Sequence, residues 1–339
     1  MNILITGAAG FIGYHTTLKI HQKFKSIKIY GIDSINNYYS PKLKRDRIKN
    51  LKKKCNNKFI FYKLNIANKK KIYDLFKKHK FHTVVNLAAQ AGVRHSLKNP
   101  DIYFETNLKG FYNIIEACKN FKVKHLISAS TSSVYGDNHI SKFDVNFATG
   151  HPTQFYAATK RSNELIGHAY SSLYNIPITF LRFFTVYGPW GRPDMALFLF
   201  VKNILKGKPI NVYNHGNHSR DFTYVGDIVN AISNLIYKIP TGNKKWNAKS
   251  LNQSESLAPF KILNLGNGKK IKLMEFIREI ENQLGKKAKI NFMEFQKGDI
   301  SSSLSKLSQT KKYINYKAKT NIKKGISLFI SWYRKYYLI

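Results

Sequence analysis

A tyrosine and a lysine stand four residues apart in the segment FYAATK, at Tyr156 and Lys160. On a helix this spacing puts both side chains on one face. Free tyrosine has a pKa near ~10, and a neighbouring ammonium favours the phenolate and lowers that value. The pair could therefore take a proton from a substrate hydroxyl. The same spacing also occurs on any amphipathic helix, so this interpretation needs support from elsewhere in the chain.

Three consecutive hydroxyl residues lie about 25 residues upstream of Tyr156. They are Thr131, Ser132 and Ser133, and they follow the apolar run HLISAS. A hydroxyl at this point could hold the reacting oxygen while Tyr156 takes its proton. The candidate catalytic residues are therefore Tyr156, Lys160, Thr131 and Ser132.

A glycine-rich segment, GAAGFIG, follows the first apolar run and precedes a helical stretch. Gly7, Gly10 and Gly13 would allow a tight turn, close approach of the backbone to a pyrophosphate, and close packing of helix on strand. The next apolar run ends in Asp33, whose carboxylate can bind both ribose hydroxyls and repels a 2′-phosphate. This combination predicts a dinucleotide site that prefers NAD to NADP. The alternative is an ordinary strand-to-helix turn.

Short apolar runs alternate with helical stretches through the first half of the chain. The runs predicted as buried strands are NILIT (2–6), KIYGID (28–33), FIFYKLN (59–65), TVVNLAA (83–89), HLISAS (125–130) and ITFLRF (178–183). Alternation of this kind indicates a Rossmann-type α/β fold, in which a doubly wound parallel sheet has helices on both faces.

The pattern loosens after residue 186, where a smaller C-terminal α/β lobe is expected. The elements predicted there are helices at 194–206 and 227–238, a strand at 262–266, an amphipathic helix in KLMEFIREIENQLG, and a closing helix in ISLFISWYRKYY.

The formal net charge of +39 allows two interpretations. A dense lysine surface could attract nucleic acid without reading its sequence. The alternative, which we favour, is biased coding, because the basic residues are spread along the whole chain and the other abundant residue types also have A/T-rich codons. Only nine of the 57 basic residues are arginine. We therefore expect no specific nucleic-acid partner.

Two cysteines, Cys55 and Cys118, support neither a disulfide framework nor a metal site. The N-terminus reads as a strand with no signal peptide before it, and no apolar run is long enough to cross a membrane. A soluble, cytoplasmic protein without a metal or membrane partner is expected.

Several motifs together resemble one family, the extended short-chain dehydrogenases/reductases of the NAD-dependent epimerase/dehydratase type that act on nucleotide sugars. The motifs are GAAGFIG, NLAAQAGVRHS, STSSVYG, YAATK, RFFTVYGPWGRPDMALF and RDFTYVGDIV, and the similarity covers nearly the full length. Within the family these motifs are most similar to those of the UDP-glucuronate 4-epimerases. The resemblance implies conversion of UDP-glucuronate to UDP-galacturonate through a 4-keto intermediate, with NAD as cofactor and a UDP-sugar as substrate.

The resemblance also implies binding roles for individual residues. The cofactor-binding set would be Gly7, Gly10, Phe11, Ile12, Gly13, Asp33, Asn65, Ile66, Leu87, Ala88, Ala89, Tyr156 and Lys160. Asn65 replaces an aspartate of many relatives and can accept the same hydrogen bond. The substrate-binding set would be Arg94, Ser132, Ser133, Thr185, Arg192, Arg220 and Asp299, with Arg220 on the diphosphate and Arg94 as a second anion contact.

Arg192 is the residue that the resemblance assigns to the substrate carboxylate, helped by Thr185, Ser132 and Ser133. A 4-keto glucuronic acid is a β-keto acid and tends to lose carbon dioxide, so the carboxylate must be held in a geometry that disfavours C–C cleavage. A planar guanidinium suits this task because it binds a carboxylate as a fixed bidentate fork. The alternative is a structural loop arginine stacked on Trp190. Arg182, on a predicted strand, is expected to be structural.

Differences from related nucleotide-sugar enzymes at single positions bear on which reaction and substrate are expected. UDP-galactose-type 4-epimerases carry Asn at the place of Thr185, and 4,6-dehydratases and UDP-glucuronate decarboxylases carry an acid in the hydroxyl cluster, where STSSVYG has none. Lys306 stands where the family usually has an acid. A 4-epimerase of a neutral UDP-hexose such as UDP-glucose is the alternative enzyme, and a basic nucleic-acid-binding protein on a Rossmann scaffold is the alternative from another class.

We expect two domains and a homodimer. Residues 1–186, with 221–266 returning to them, would form the NAD-binding domain, and residues 187–220 with 267–339 would form the UDP-sugar-binding lobe. The dimer, through a helical interface, is implied by the resemblance alone.

Overall fold

The computed structural model describes residues 1–136, 142–247, 249, 252–296 and 298–339. Its strands are β1 (Asn2–Thr6), β2 (Lys28–Asp33), β3 (Phe59–Lys63), β4 (Thr83–Asn86), β5 (His125–Thr131), β6 (Ile178–Phe183), β7 (Thr185–Tyr187), β8 (Ile210–Tyr213), β9 (Ser219–Arg220), β10 (Phe222–Tyr224), β11 (Phe260–Leu265), β12 (Ile271–Lys272) and β13 (Ile290–Met293).

Its helices, also in chain order, are α1 (Phe11–Lys23), α2 (Pro41–Cys55), α3 (Lys69–His79), α4 (Val93–Lys98), α5 (Pro100–Tyr103), α6 (Gly110–Asn120), α7 (Phe155–Tyr174), α8 (Ala196–Leu205), α9 (Val225–Leu235), α10 (Leu273–Leu284), α11 (Ser308–Ile314) and α12 (Ile322–Tyr337). A π-helical turn (Phe104–Lys109) joins α5 to α6, and a 3₁₀ turn (Ser132–Tyr135) follows β5.

The central sheet of the described chain has seven parallel strands in the order β11-β6-β5-β4-β1-β2-β3. The predicted Rossmann-type parallel α/β sheet is confirmed. From β1 the chain adds β2 and β3 towards one edge of the sheet, and from β4 it adds β5 and β6 towards the other edge. The carboxyl ends of the strands at such a topological switch point, here between β1 and β4, form a crevice for ligands.

Helices cover both faces of this sheet because successive residues of each buried strand point to opposite sides. Leu126 packs in the core shared with α3 and α6, whereas its neighbour Ile127 packs in the core shared with α1 and α9. Burying a side chain of this size contributes about 1.5–3 kcal/mol to the free energy of folding. Each buried strand is therefore stabilised by packing on both faces of the sheet.

The C-terminal lobe has its own core, formed by α8, α10, α12 and the paired strands β8 and β13. Phe222 stacks on Phe276 with ring centroids 4.0 Å apart, which ties β10 to α10. Because β10 also pairs with β7, this core continues towards the end of β6. The lobe therefore closes one side of the crevice.

Several predicted boundaries are wrong by a few residues, and several helices, among them α2, α3 and α11, were not individually predicted. The strands expected at 59–65 and 83–89 end at Lys63 and Asn86. The helix expected at 227–238 spans Val225–Leu235, and that expected at 194–206 begins at Ala196. Helix α2 has the lysine-rich sequence PKLKRDRIKNLKKKC, and this composition concealed its apolar face. No helix of the described residues has the length and apolar character needed to cross a membrane.

Candidate active site

A cavity of about 730 Å³ lies between the carboxyl ends of the central strands and the C-terminal lobe. It brings together residues from both halves of the chain. The predicted residues that line it are Gly7, Gly10, Phe11, Ile12, Gly13, Asp33, Asn65, Ile66, Leu87, Ala88, Ala89, Thr131, Ser132, Ser133, Tyr156, Lys160, Thr185, Arg192, Arg220 and Asp299. Arg94 is the predicted site residue that lies outside this lining.

The glycine loop leaves no room for side chains where it meets its neighbours. Gly7 has φ +69°, a left-handed conformation, and a Cβ there would lie 2.9 Å from the backbone nitrogen of Ala88. A Cβ on Gly13 would lie 2.1 Å from the carbonyl oxygen of Gly7. Gly10 is the N-cap residue of α1 and provides no side-chain cap, so the N–H groups of the first helical turn remain available to an anion. The residues of that turn, Phe11, Ile12 and Gly13, line the cavity.

Asp33 closes the other side of this loop. Its Oδ2 accepts a hydrogen bond from the backbone N–H of Ala9 at 3.1 Å, and its Oδ1 accepts one from Ile35 at 2.8 Å. Burial raises the pKa of this carboxyl, while these N–H groups and the nearby Lys44 lower it. The carboxylate is therefore held in one orientation at the edge of the cavity.

Lys44 is a cavity residue that the sequence analysis did not predict. It is buried on α2, and its Nζ donates to the carbonyl oxygen of Asn36 at 2.7 Å. Burial lowers the pKa of this ammonium to about 8, and Asp33 opposes the shift. The sequence signal that could have identified Lys44 is the helical spacing of Leu43, Ile48 and Leu51, which puts Lys44 on the same face as these apolar residues.

Helix α7 presents Tyr156 and Lys160 to the cavity together. Lys160 is anchored by a hydrogen bond from its Nζ to the carbonyl oxygen of Ala129, at 3.0 Å. Burial lowers the pKa of Lys160 to about 8, while Glu164 raises it. Burial raises the pKa of Tyr156, and the counteracting effects come from Arg192 and from a hydrogen bond with Thr131.

Burial is the largest influence on the pKa of Tyr156, and it opposes the phenolate. The expectation that Lys160 lowers this pKa together with a positive nicotinamide ring stays a prediction. A phenolate at this position therefore requires further positive charge beyond that of the ammonium. Arg192 supplies part of it from the facing loop.

The predicted hydroxyl cluster lies at the end of β5, beside Tyr156. Thr131 caps the 3₁₀ turn by accepting a hydrogen bond from the N–H of Ser133 at 3.2 Å, and its hydroxyl donates to the Oγ of Ser133 at 3.1 Å. Ser132 and Ser133 are only partly buried and face the cavity. The three hydroxyls can therefore orient an oxygen placed next to the tyrosine.

Glu164 links α7 to strands β5 and β6 of the central sheet. Its carboxylate accepts two hydrogen bonds from Arg182 of β6, both 2.9 Å long, and one from the Oγ of Ser130 of β5 at 2.6 Å. All three groups are buried, and Arg182 lowers the pKa of Glu164 despite the opposing effect of burial. Arg182 thus lies in the core as the partner of Glu164, which is one turn of α7 from Lys160.

Replacing Glu164 by glutamine is expected to lower the free energy of unfolding by about 3–5 kcal/mol, because it leaves the buried Arg182 without its counter-charge. Urea unfolding followed by circular dichroism would measure the change. Glu105→Gln is the matched control, since its ion pair with Lys109 is exposed, and a change within about 0.5 kcal/mol is expected. Equal effects of the two substitutions would contradict this role of Glu164.

Arg192 lies on the loop after β7 and faces the cavity opposite Tyr156. Its Nε donates to Asp194 at 3.0 Å, and its Nη2 forms an ion pair with the same carboxylate. Its guanidinium also lies 5.7 Å from the ring centre of Tyr38, whose hydroxyl donates to Asp194. Thr185 lines the same cavity.

The alternative of a loop arginine stacked on Trp190 does not describe this arrangement. Trp190 packs against Tyr14, Trp332 and Tyr336, with ring centroids 5.3, 5.4 and 5.1 Å apart. The arginine and the tryptophan therefore belong to different clusters, and the guanidinium reaches the cavity.

A second cluster of charged groups lies where the lobe meets the cavity. Arg220 donates to the Oδ1 of Asp299 at 2.8 Å, and Arg94 lies 3.5 Å from the other carboxylate oxygen. Arg94 also stacks over the ring of Tyr213, 4.5 Å from its centre, and its side chain is about half exposed. Lys306 forms an ion pair with Asp144 at 2.7 Å and does not line the cavity.

A Rossmann-type sheet with a glycine-rich loop and a Tyr–Lys pair in one cavity is typical of NAD-dependent enzymes of the short-chain dehydrogenase/reductase type, and comparisons with known proteins agree with this class. Residues 3–248 match the model of the NAD dependent epimerase/dehydratase family, and the chain belongs to that family. It is 48% identical over 337 residues to Protein CapI of Staphylococcus aureus, with 99% of each chain covered. It is 38% identical to a probable UDP-glucuronate 4-epimerase of Rhizobium meliloti, covering 99% of this chain and 98% of the relative.

A solved structure shows the same architecture with ligands bound. UDP-glucuronic acid 4-epimerase of Bacillus cereus, in complex with UDP-glucuronic acid and NAD, superposes with a TM-score of 0.88 at 30% identity. The match covers 99% of this chain and 100% of that one.

Proposed function

We propose that the protein is a UDP-glucuronate 4-epimerase, which interconverts UDP-glucuronate and UDP-galacturonate through a 4-keto intermediate. The observation that carries this proposal is the placement of Arg192 in the same cavity as Tyr156, Lys160 and the hydroxyl cluster. A group that binds carboxylates thus faces a group that moves protons. The relatives from Rhizobium meliloti and Bacillus cereus bear the name of this activity.

The residues that would hold NAD fit that cofactor. The crowded glycines let a pyrophosphate approach the first turn of α1, and the fixed carboxylate of Asp33 suits the two hydroxyls of a ribose. Asn65, Ile66 and the loop Leu87–Ala89 would line the remainder of the site. When bound, the cofactor supplies a hydride acceptor and donor for C4 of the sugar, and its positive nicotinamide ring adds to the field that favours the phenolate of Tyr156.

Proton transfer falls to α7 and the end of β5. Tyr156 takes the proton of the 4-hydroxyl and later returns one to the 4-ketone oxygen, while Thr131 and Ser132 hold that oxygen in place. Lys160, fixed by the carbonyl of Ala129, keeps a positive charge beside the tyrosine. Inversion at C4 requires that the 4-keto sugar present its other face before reduction.

Carboxylate binding falls to Arg192, with Thr185 and Ser133 as hydroxyl partners. Asp194 holds Nε and Nη2 of the guanidinium, and the other edge, between Nη1 and Nη2, would donate to the substrate carboxylate. Holding that carboxylate so that the C5–C6 bond stays out of alignment with the C4 carbonyl π system disfavours loss of carbon dioxide from the 4-keto acid. This requirement distinguishes the proposed activity from epimerisation of a neutral hexose.

Nucleotide binding falls to the lobe. Arg220 reaches the cavity and is suited to a diphosphate, while Asp299 orients it, and Arg94 provides a second positive charge at the rim. On this basis residues 1–186 with 221–266 form the cofactor unit, and residues 187–220 with 267–339 form the UDP-sugar unit. The return of β11 to the edge of the central sheet, beside β6, supports the first of these groupings.

The proposal is tested by incubating the purified protein with UDP-glucuronate and separating the nucleotide sugars by ion-exchange chromatography. Appearance of UDP-galacturonate is expected. A parallel incubation with UDP-glucose serves as the comparison, because conversion of the neutral sugar alone would support the neutral-hexose alternative and overturn the proposal. Absence of conversion of either sugar, with NAD added, would also overturn it.

We propose further that the protein is a homodimer. Helices α6 and α7 and the turn that leads into α6 expose large apolar side chains, among them Phe104, Tyr112, Leu165, Leu173 and Tyr174. Leu165 and Leu173 are 55% and 72% exposed, although α7 also carries the catalytic tyrosine. A second copy with the same face would bury this surface through an isologous contact.

Sedimentation velocity of the purified protein is expected to give the mass of two 39.2-kDa chains. The double variant Leu165→Glu/Leu173→Glu is expected to sediment as a monomer, because it would place four carboxylates in the contact. Leu257→Glu, at a residue that is 63% exposed in another region, is the control and is expected to remain a dimer. A monomeric wild-type protein, or a dimer that the double variant leaves intact, would contradict this assembly.

A further inference from the structure

We propose that Arg47 is a positioning residue that fixes Arg192 relative to the cofactor loop, and thereby limits loss of carbon dioxide from the 4-keto intermediate. The proposal rests on the function proposed above. Arg47 lies in the lysine-rich stretch of α2, for which that function supplies no role. It does not itself line the cavity, although Tyr39, one of its hydrogen-bond partners, does.

Arg47 is fully buried and bridges two loops that are far apart in sequence. Its Nη1 donates to the carbonyl oxygen of Ala9, in the glycine loop, at 2.8 Å and to the hydroxyl of Tyr39 at 2.7 Å. Its Nη2 donates to the carbonyl oxygens of Trp190 and Gly191 at 2.6 and 3.2 Å. One guanidinium therefore joins the backbone of the cofactor loop to the two residues that precede Arg192.

The positive charge of Arg47 opposes separation of the two loops that it joins. Among the described residues it forms no ion pair, so its positive charge is compensated by these carbonyls and by the ring of Tyr39, 5.5 Å from the guanidinium carbon. Moving the loops apart would leave a buried cation without partners, which is costly. The two loops are therefore held at a fixed separation.

The backbone at Trp190 needs such support. Trp190 has φ +59°, a left-handed conformation that is unusual for a bulky side chain. Its ring is clamped by Tyr14, Trp332 and Tyr336, and its carbonyl by Arg47. Because Arg192 follows two residues later, a relaxation of this turn would move the guanidinium that faces Tyr156.

The segment before α2 contributes a second contact to the same loop. The hydroxyl of Tyr38 donates to Asp194 at 3.0 Å, and Asp194 in turn holds Arg192. Helix α2, through Arg47, thus supports the backbone of the carboxylate-binding loop, and the segment before α2, through Tyr38, supports its side chains. This is the arrangement expected where small displacements change the outcome of a reaction.

The reaction at risk is decarboxylation of the 4-keto acid. The C5–C6 bond breaks, carbon dioxide leaves, and the electron pair passes towards the C4 carbonyl to form an enolate. The enolate takes up one proton at C5, which leaves a UDP-4-ketopentose. The C5–C6 bond breaks readily only when it stands parallel to the π orbitals of the C4 carbonyl. A carboxylate held so that this bond lies near the carbonyl plane reacts slowly, whereas one that is free to swing out of that plane reacts faster.

The experiment measures the share of turnover that ends as carbon dioxide, with UDP-glucuronate labelled with ¹³C at C6 and saturating NAD. Labelled carbon dioxide and UDP-galacturonate are quantified by NMR for wild type, Arg47→Lys and Arg47→Met. The control is Arg45→Met, an exposed arginine on the same helix. Thermal unfolding and cofactor content are measured for every variant.

We expect the carbon dioxide share to rise by about tenfold or more in Arg47→Met and by a smaller factor in Arg47→Lys, with Arg45→Met unchanged. If Arg47→Met does not fold, Arg47→Lys, which keeps the buried charge, decides the matter. An unchanged share in a folded Arg47 variant would overturn the role, whatever happens to kcat or to cofactor binding. A wild type that leaves UDP-glucuronate unconverted would instead overturn the proposed function, and this role with it.

Discussion

Replacing Tyr156 by phenylalanine is expected to lower kcat for epimerisation by about 10²–10⁴-fold, the range typical of a lost general acid–base group. The phenol lines the cavity beside Thr131 and is the group placed to receive a proton from the 4-hydroxyl. Loss of one oxygen removes that function and leaves the ring in place. Cofactor binding and the melting temperature should therefore stay close to those of the wild type.

Tyr103→Phe is the matched control for this experiment. Its ring centroid lies 6.1 Å from that of Tyr156, but its hydroxyl donates to the carbonyl oxygens of Ala91 and Gly92 and does not line the cavity. It should change kcat by a few-fold at most. Initial rates of UDP-galacturonate formation would compare the two variants, and a Tyr156→Phe variant with more than a tenth of the wild-type kcat would contradict the assigned role.

Replacing Arg192 by methionine is expected to lower kcat/KM for UDP-glucuronate by about 100-fold or more, because charge-assisted hydrogen bonds to the carboxylate contribute about 1.5–3 kcal/mol each. Arg192→Lys should recover only part of this loss, since an ammonium cannot form the bidentate fork. The field that favours the phenolate of Tyr156 would also weaken, because Arg192 lowers the pKa of that residue.

Steady-state kinetics with UDP-glucuronate, alongside binding of UDP alone, would separate these effects. UDP affinity should stay within a few-fold of the wild type, because the proposed diphosphate contact is Arg220. Arg278→Met, on the exposed face of α10, is the control and should behave as the wild type. Wild-type kcat/KM in Arg192→Met would show that the carboxylate is bound elsewhere.

Local signals in the sequence predicted most of the architecture. Apolar runs that end in glycine or in polar residues located every strand of the central sheet, including β11, whose sequence position lies far from its neighbour β6. The ends of β3 and β4 were placed too late because the apolar character continues beyond the last ladder residue. At β4 the chain leaves the sheet where the hydroxyl of Thr6 accepts a hydrogen bond from the N–H of Ala88.

Helix α2 shows why composition can conceal structure. Its sequence is rich in lysine, yet it has one face buried at helical spacing, which consists of Leu43, Lys44, Arg47, Ile48, Leu51 and Cys55. Two of these buried residues are cations. Arg47 binds the carbonyls of Ala9 and Trp190, which are distant in sequence, so no local pattern could identify these partners.

The electrostatics of the candidate site were the least predictable feature. The spacing of Tyr156 and Lys160 indicated a helix face, and the structure places both in the cavity. The direction of each pKa depends on burial, which the two residue types do not specify. Likewise, the contact of Arg192 with Asp194 and Tyr38 follows from the fold of the loop and not from its sequence.

The proposed function requires that a hydride leave C4 of UDP-glucuronate and return to the same carbon within one pocket. Incubation with UDP-glucuronate carrying deuterium at C4, in protonated water and with NAD, tests it most directly. The proposed function predicts UDP-galacturonate that keeps deuterium at C4, as measured by mass spectrometry and NMR. Failure to form UDP-galacturonate, or a product that has exchanged its C4 deuterium for hydrogen, would contradict it.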